Sequence, residues 1–429
     1  MAVAVSAATL LSVSGCAGNE ISSGIDTFLH GGISGTNAYS SMESSPVIDY
    51  AVPEIRSHIL TDHEGYSTAS GCTAYLYGDE IPETFTLINA ETKAAVFESE
   101  KVAPITDADG NVIGAEFDLT GDVADGKYLI YCDRYGYSEE FTVSSTAYTD
   151  TFAAKEASFL EKVGAGTVSP DDIICVLQAY EWDRDSFADA DNDGKPDVLT
   201  TVRKYIELTN YESIADDEKL SYATLLVKFG YSDQNFDKDF STECLQKGSI
   251  LYAESAKANT GTDEAASVMG AKDFRALTEL YRASGRADYL DSIGRYESML
   301  AGDEDYLDDP DYLYGAYTYM TTRRNVGLSF CNILMSNLME KAQGHNNIKK
   351  DLYDAITSEQ SEDSILTAAQ QIMCANSALD GYEYDKTIKD LTTYLSGCNR
   401  LSEDHASDGR PEYILLFAHL ARLEKEGKL

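Results

Sequence analysis

The spacing of apolar residues changes once along the chain, near residue 150. Between residues 54 and 145, apolar side chains occupy alternate positions in short runs, as at Phe85 and Leu87. A period of two is typical of β-strands with one buried face. Turn signals such as Asp109-Gly110 separate the runs, and short strands at this spacing within ~90 residues predict a β-sandwich.

Beyond residue 150 the spacing is helical, and start and stop signals mark the helices. Ser169-Pro170-Asp171-Asp172 combines an N-cap, a first-turn proline and an acidic first turn. Asp309-Pro310-Asp311 starts an apolar segment predicted to continue through Met339, and Gly285 is a stop signal. About ten helices joined by short polar turns, with no strand-like segment of note, suit an α/α toroid, which is a ring of helical hairpins.

Length and composition suit several folded domains. The chain has 429 residues, of which 43% are hydrophobic and 25% charged, enough for two or three domains with ordinary cores. The predicted boundaries are a signal peptide over 1–16, a flexible linker over 17–47, a β-sandwich over 48–146 and a helical domain over 150–429. The predicted fold class is therefore multidomain, β followed by α.

The N-terminal apolar run over residues 1–15 is shorter than the ~18–20 residues that span a bilayer. It ends in Val13-Ser14-Gly15-Cys16, which resembles a bacterial lipobox and implies cleavage before Cys16 and lipidation of its thiol. The basic n-region of a signal peptide is absent, and a plain secretory peptide is the alternative. Both interpretations predict export, and the first predicts a lipid anchor at the bacterial cell surface.

The net charge of −40 limits the partners. An acidic surface repels phosphate backbones, so nucleic acid is not an expected partner. A neutral polysaccharide or oligosaccharide remains compatible, although acidity can serve solubility alone. Contact with a membrane is expected only through the N-terminal anchor. No organic cofactor is indicated, and the sequence leaves the oligomeric state open.

Seven cysteines follow Cys16, and none has the C-x-x-C spacing of a zinc site. Most lie among apolar residues, as Cys175 does, and are interpreted as buried small side chains. Cys72 and Cys132 lie on predicted strands of one sandwich and could form a disulfide after export. Spacing alone cannot show this pairing, and the unbridged interpretation is favoured.

The most informative stretch is residues 189–208, an acidic glycine-containing loop followed by Pro196-Asp197 at a helix start. Just upstream, an apolar helix ends in Tyr180-Glu181-Trp182. This arrangement resembles the family 9 glycoside hydrolases, which include many cellulases. Further matches follow the order of that family: Gly65-Tyr66, 85–89, 115–119, Gly126-Lys127-Tyr128, 138–143, 271–277 and 394–399.

The resemblance implies a more specific architecture. Residues 54–143 resemble the immunoglobulin-like module that precedes the catalytic domain in many of these enzymes. The helical part then corresponds to the α/α toroid of the family, a barrel of six hairpins. It is expected to be incomplete, because the chain has slightly fewer predicted helices than the family.

Hydrolysis of a glycosidic bond normally needs two carboxylic acids. In the family, the base lies in an Asp-Ala-Gly-Asp segment ahead of the Tyr-Glu-Trp helix, and no such segment occurs in residues 150–172. Asp172 is a weak candidate, because helix capping explains it. Glu412, which follows Pro411 at the last helix start, is the weak candidate for the acid of the family's C-terminal Asn-Glu segment.

Two groups of residues are candidates for binding. Asp189, Asp191, Asp193 and Asp197 match positions 1, 3, 5 and 9 of a calcium loop, but Thr200 replaces the bidentate Glu, which excludes an ordinary EF-hand. A shorter Ca²⁺ loop and a solvated capping loop remain alternatives. The candidates for sugar binding are aromatic or polar side chains, with helix packing and a surface loop as alternatives: Trp182, Tyr312, Tyr314, His405 and Arg410.

Three functions follow from these observations. The first is an exported, surface-anchored protein of β-glucan or cellulose metabolism that binds glycans with weakened or lost hydrolysis. The second is an active endo-acting β-glucanase with relocated carboxylates. The third is a structural or adhesion lipoprotein that inherited the fold only. The missing Asp-Ala-Gly-Asp segment favours the first, because removing a general base typically costs ~10²–10⁴-fold in rate.

Overall fold

The computed structural model describes residues 58–107, 109–119, 123–259, 270–302, 305–346, 361–379, 381–399, 405–407 and 409–429. The predicted leader with Cys16, the linker and the first residues of the predicted sandwich lie outside the described residues. Among the described residues no helix is long and apolar enough to cross a membrane.

The N-terminal part is made of β-strands, as the period-two spacing predicts. Its strands are β1 Ile59–Leu60, β2 Tyr66–Ser67, β3 Thr73–Tyr77, β4 Phe85–Asn89, β5 Ala95–Ser99, β6 Val102–Thr106, β7 Val112–Asp118, β8 Gly126–Cys132, β9 Gly136–Tyr137 and β10 Phe141–Ser144. One sheet has the order β1-β3-β7-β6, and the other has the order β2-β10-β8-β4-β5, with β9 beside β8. Every pairing is antiparallel except that of β2 with β10.

The two sheets share one apolar core. Phe85 of β4 stacks on Phe117 of β7, with ring centroids 4.9 Å apart, so the contact joins one sheet to the other. Alternate residues of β3 are buried, which is the period expected of a strand with one face in the core. Cys72 and Cys132 are buried free thiols, and all seven described cysteines are unbridged.

The rest of the described chain is helical. Its α-helices are α1 Ala147–Gly164, α2 Pro170–Trp182, α3 Asp197–Leu208, α4 Lys219–Asp233, α5 Lys238–Asn259, α6 Ala271–Ser284, α7 Ala287–Ile293, α8 Glu297–Leu300, α9 Pro310–Thr321, α10 Leu328–Asn346, α11 Glu362–Leu379, α12 Asp385–Leu395 and α13 Pro411–Glu426. Short 3₁₀ turns connect several of them.

The segment predicted to form one long helix forms two helices in the structure. The segment expected to run from Pro310 through Met339 stops at Thr321 and resumes at Leu328. Arg324, in the break, donates to the carbonyl oxygens of Arg282 and Ala283 in the last turn of α6. The sequence did not indicate this break, because the apolar spacing is helical on both sides of it. The break depends on a contact with another helix.

Six helices, α2, α4, α6, α9, α11 and α13, are here called the central helices. Neighbours pack in the order α2, α4, α6, α9 and α11, and α13 packs on α1 and α2. Side-chain bonds join their N-terminal turns to one another, and a second set joins their C-terminal turns, so the central helices run in the same direction. Their N-terminal ends therefore form one face of the helical part.

The β part is joined to the helical part through the end of α12. The backbone N–H of His63 donates to the carbonyl oxygen of Ser396 at 2.7 Å. The next residue, Gly397, has φ of +120°, and a Cβ atom there would lie 2.8 Å from the His63 ring. Only glycine fits this close approach without strain.

Candidate functional site

The N-terminal turns of the central helices carry a row of linked charges. Lys272 of α6 donates to Asp171 of α2 at 2.8 Å and to Ser221 of α4 at 2.9 Å. Arg275 of α6 donates to Asp311 of α9 at 2.7 Å. These bonds hold four helix starts together and leave polar side chains along one end of the helical part.

Three carboxylates at this end, two on α11 and one on α13, share the guanidinium of Arg410. Arg410 donates to Glu362 and to Glu412, each at 3.3 Å, and to Asp363 at 2.7 Å. The Tyr413 hydroxyl also donates to Glu362, at 2.6 Å. Burial alone would lower the pKa of Arg410, but its hydrogen bonds to Asp363 and Glu412 outweigh burial and raise that pKa.

Glu412 differs from the other two carboxylates in having a buried oxygen atom without a partner in the protein. It lies in the first turn of α13, where Pro411 occupies the first helical position. Its Oε1 accepts from Arg410, while its Oε2 is buried and has no hydrogen-bond partner in the protein. Burial and then the charge of Glu412 raise the pKa of the Cys175 thiol of α2.

Asp172 is a capping residue. Its carboxylate accepts from the backbone N–H of Ser169 at 3.0 Å, and its own N–H donates to the Ser169 hydroxyl at 3.1 Å. This reciprocal capping box occupies the side chain that the sequence offered as a weak catalytic candidate. Only residues 165–169 connect α1 to α2, at the position where the resemblance expects Asp-Ala-Gly-Asp.

The predicted sugar-binding aromatic residues do not form one open surface. Tyr314 is 2% exposed, its ring lies beneath the Arg275 guanidinium, and its hydroxyl donates to Gln370 at 3.1 Å. The prediction that Tyr314 lines a cleft is therefore corrected, because inward helical spacing places it in the core. Trp182 is half-buried and packs edge-on against Tyr317, with ring centroids 5.3 Å apart.

The remaining predicted residues divide between two places. Tyr312 is half-buried and packs against Phe274, with ring centroids 5.9 Å apart. His405 lies with its Nδ1 atom 3.9 Å from Glu362, so it joins Arg410 at the N-terminal end of the central helices. The structure thus brings together His405, Arg410 and Glu412, and adds Glu362, which sequence reasoning missed.

The C-terminal half of the central helices holds a buried ion cluster. Lys228 of α4 donates to Glu181 at 2.8 Å and to Glu279 at 3.3 Å, and its side chain is 0% exposed. Arg282 donates to Glu181 at 2.9 Å and lies 2.5 Å from Glu279. We call these four residues the interior ion cluster.

The interior ion cluster is balanced, with two cations and two carboxylates. Burial alone would raise the pKa of Glu181, but Arg282 and then Lys228 outweigh burial and hold that pKa at about 2. The cluster ties α2, α4 and α6 together through buried charges. The sequence carried one signal for it, a single lysine within the apolar run Leu225-Leu226-Val227-Lys228-Phe229.

The acidic loop before α3 brings three of its predicted calcium ligands together. Carboxylate oxygens of Asp189, Asp191 and Asp193 lie within 4.8 Å of one another. Each also accepts from a loop N–H, for example Asp189 from Gly194 at 3.0 Å. Asp197 lies outside this group, because its Oδ2 accepts from the Ala190 N–H at 3.0 Å at the start of α3.

No family model matches the chain, and no curated protein matches it. Solved structures do match along most of its length. The fold is similar to that of the family 9 glycoside hydrolases.

A metagenome-derived family 9 endoglucanase is 16% identical, with a TM-score of 0.63 over 81% of this chain and 84% of that one. A family 9 protein of Bacteroides ovatus is 13% identical, with a TM-score of 0.63 over 86% of this chain and 99% of that one. A thermostable endoglucanase variant from Alicyclobacillus acidocaldarius is 14% identical, with a TM-score of 0.62 over 82% and 84%. At these identities the comparison establishes the fold.

Proposed function

We propose that this chain is an exported, glycoside hydrolase-like protein of polysaccharide metabolism that binds β-glucan and has weakened or lost hydrolysis. The similarity of its fold to endoglucanases supports the substrate class, and one similar structure holds a cellobiose-like isofagomine. The proposal includes an immunoglobulin-like sandwich, an incomplete α/α toroid and a surface anchor at Cys16.

The shared guanidinium of Arg410 is the observation that carries this proposal. Glycoside hydrolysis needs one carboxylic acid that gives a proton and one carboxylate that activates water or attacks. Here Glu362 and Glu412 both accept from Arg410, and a carboxylate in such a charge-assisted bond acts as an acceptor. The arrangement suits binding sugar hydroxyls better than it suits general acid catalysis.

An active β-glucanase with relocated carboxylates is the second candidate function. The observation that favours it is the buried Oε2 of Glu412, which has no hydrogen-bond partner in the protein, while Glu362 of α11 accepts from the same Arg410. If sugar binding displaced Arg410, these two groups would form a carboxylate pair at the starts of α11 and α13. A purely structural or adhesive lipoprotein is the third candidate, and it predicts no glycan binding.

Binding is tested by calorimetric titration of the protein lacking residues 1–47 with β-1,4-glucan oligomers. We expect a Kd in the high-micromolar range or weaker, roughly −5 kcal/mol. Arg410→Ala should weaken binding about tenfold, because it removes the donor that organises both carboxylates. Arg286→Ala, at an exposed ion pair with Asp288, is the matched control and should bind as the wild type does.

Absence of binding to every oligomer would favour the adhesion protein. Loss of affinity in Arg286→Ala as well would show that the effect of Arg410→Ala is not specific to the site.

We also propose that the acidic loop binds Ca²⁺ through Asp189, Asp191 and Asp193. Three oxygens within 4.8 Å suit a hard cation, which would remove their mutual repulsion. Millimolar calcium should then raise the melting temperature by a few degrees, and Asp191→Ala should abolish that rise. Asp109→Ala, in the glycine turn between β6 and β7, is the control. Equal calcium responses of wild type and Asp191→Ala would contradict the proposal.

A further inference from the structure

A cavity of about 650 Å³ lies between the β part and the C-terminal end of the chain. Tyr75 and Glu116 line it from the sheet that contains β3 and β7, and Asp385 and Lys389 line it from α12. Lys428 closes it from beyond α13. The volume falls within the range of small-molecule binding sites, which is roughly 300–1,000 Å³.

This cavity is separate from the candidate site at Arg410 and Glu412. Those two residues lie at the start of α13, whereas Leu423 and Lys428, at its other end, line the cavity. The helix spans 16 residues, or about 24 Å at 1.5 Å per residue. A ligand in the cavity therefore makes contacts that are independent of the candidate site.

Asp385 is a positioned hydrogen-bond acceptor at the cavity wall. Its Oδ1 accepts from Asn376 at 2.7 Å and lies 3.0 Å from Nε2 of His419, a buried imidazole. His419 in turn lies 3.8 Å from Asp183 on its other side. This chain of contacts fixes the Asp385 carboxylate from behind, which is how preorganised binding groups are held.

The charged side chains that line the cavity balance one another. Three lysines and three carboxylates line the cavity: Lys386, Lys389, Lys428, Glu116, Asp385 and Asp390. A lining with equal numbers of cations and carboxylates favours an uncharged ligand, and a sugar hydroxyl can accept from a lysine while it donates to a carboxylate. Lys389 is itself anchored to the Gly71 carbonyl oxygen at 2.8 Å.

Tyrosine supplies the apolar surface that a sugar ring requires. Tyr382 is 51% exposed at the mouth of the cavity. Lys428 lies 4.1 Å from the centre of its ring and donates to its hydroxyl at 2.8 Å. The ring is therefore held in place while half of its surface stays open to solvent, and Tyr75 lines the same cavity.

From this combination we infer that the cavity between the β part and α12 is a second saccharide-binding site. The cavity accepts a short neutral oligosaccharide. Tyr382 packs against a sugar ring, and Asp385 and Lys386 form hydrogen bonds with the sugar hydroxyls. The inference rests on the proposed polysaccharide function, and it adds a separate point of attachment for the chain of sugars.

The test titrates the full chain and its variants with a neutral β-glucan oligomer in parallel. Tyr382→Ala and Lys386→Ala should each reduce the affinity of the cavity site for the oligomer about tenfold. Arg410→Ala should leave the affinity of the cavity site unchanged. Glu383→Gln, an exposed neighbour outside the cavity lining, is the control and should bind like the wild type. Because Tyr382 and Lys386 are exposed, their replacement does not open a core.

The outcomes separate the two proposals. If Arg410→Ala removes all binding and the cavity variants bind like the wild type, the second site is wrong and the candidate site stands. If the cavity variants remove all binding and Arg410→Ala has no effect, the cavity is the only saccharide site and the candidate site is wrong. If no variant and no wild type binds, both proposals fail.

Discussion

Replacing Lys228 with methionine is expected to destabilise the protein by about 3–5 kcal/mol. The methionine fills the volume of the lysine stem but removes one of two cations from the interior ion cluster. Glu181 and Glu279 then share Arg282 alone, which leaves one negative charge uncompensated in a buried environment. Denaturant unfolding of wild type and variant, with comparison of the free energies of unfolding, measures the loss.

Lys272→Met is the matched control for this prediction. Lys272 also bridges central helices, but its side chain is 45% exposed, so its ion pair with Asp171 is screened by water. The Lys272→Met replacement should therefore lower the free energy of unfolding by less than about 1 kcal/mol. Adding Glu279→Gln to Lys228→Met should restore charge balance and recover part of the loss. A Lys228→Met variant as stable as the Lys272→Met variant would contradict the assignment of Lys228 to a buried cluster.

Replacing Glu156 with glutamine is expected to stabilise the protein by roughly 2–3 kcal/mol at alkaline pH. Glu156 of α1 is 3% exposed, and burial raises its pKa to about 7. Its Oε2 accepts from the Ala188 N–H at 3.3 Å, a bond that a glutamine oxygen can also make, while its Oε1 has no partner.

The pH dependence of this gain has a definite sign. The folded protein holds a proton on Glu156 up to about pH 7, while the unfolded chain releases it near its ordinary pKa of 4.5. Stability therefore falls as the pH rises between these values, and the penalty is complete above the folded pKa. The glutamine variant lacks this penalty. The difference in free energy of unfolding between variant and wild type should therefore be small at about pH 4.5 and largest at about pH 8.

Thermal or denaturant unfolding at both pH values measures this difference. Glu161→Gln, an exposed position on the same helix, should change stability little at either pH. A Glu156→Gln variant that is less stable than the wild type at alkaline pH would show that the ionised carboxylate has a stabilising partner.

Local signals in the sequence predicted much of the architecture. The switch from period two to helical spacing correctly separated a β part from a helical part. The cap at Asp309 is confirmed, because its carboxylate accepts from the Asp311 N–H at 2.8 Å. The capping interpretation of Asp172 is confirmed as well. Caps are predictable because they depend on residues only a few positions apart in the sequence.

The candidate site was harder to predict, because its members are brought together by packing between distant segments. Glu362 lies 48 residues before Arg410 along the chain. Nothing near Glu362 in the sequence distinguishes it from other acids at helix starts. For Tyr314 the sequence predicted a site residue that the structure places in the core. A cluster of tyrosines is compatible with both a sugar-binding cleft and a core, and only tertiary contacts distinguish the two.

The most direct test of the account is the release of reducing ends from carboxymethylcellulose and mixed-linkage β-glucan by the protein lacking residues 1–47, measured beside binding of the same glucans. Because Arg410 engages both Glu362 and Glu412, the protein is predicted to bind these polymers weakly and to release few or no reducing ends. Robust release that Glu412→Gln or Glu362→Gln abolishes, with binding retained, would contradict the account and establish an active, rearranged glycosidase site.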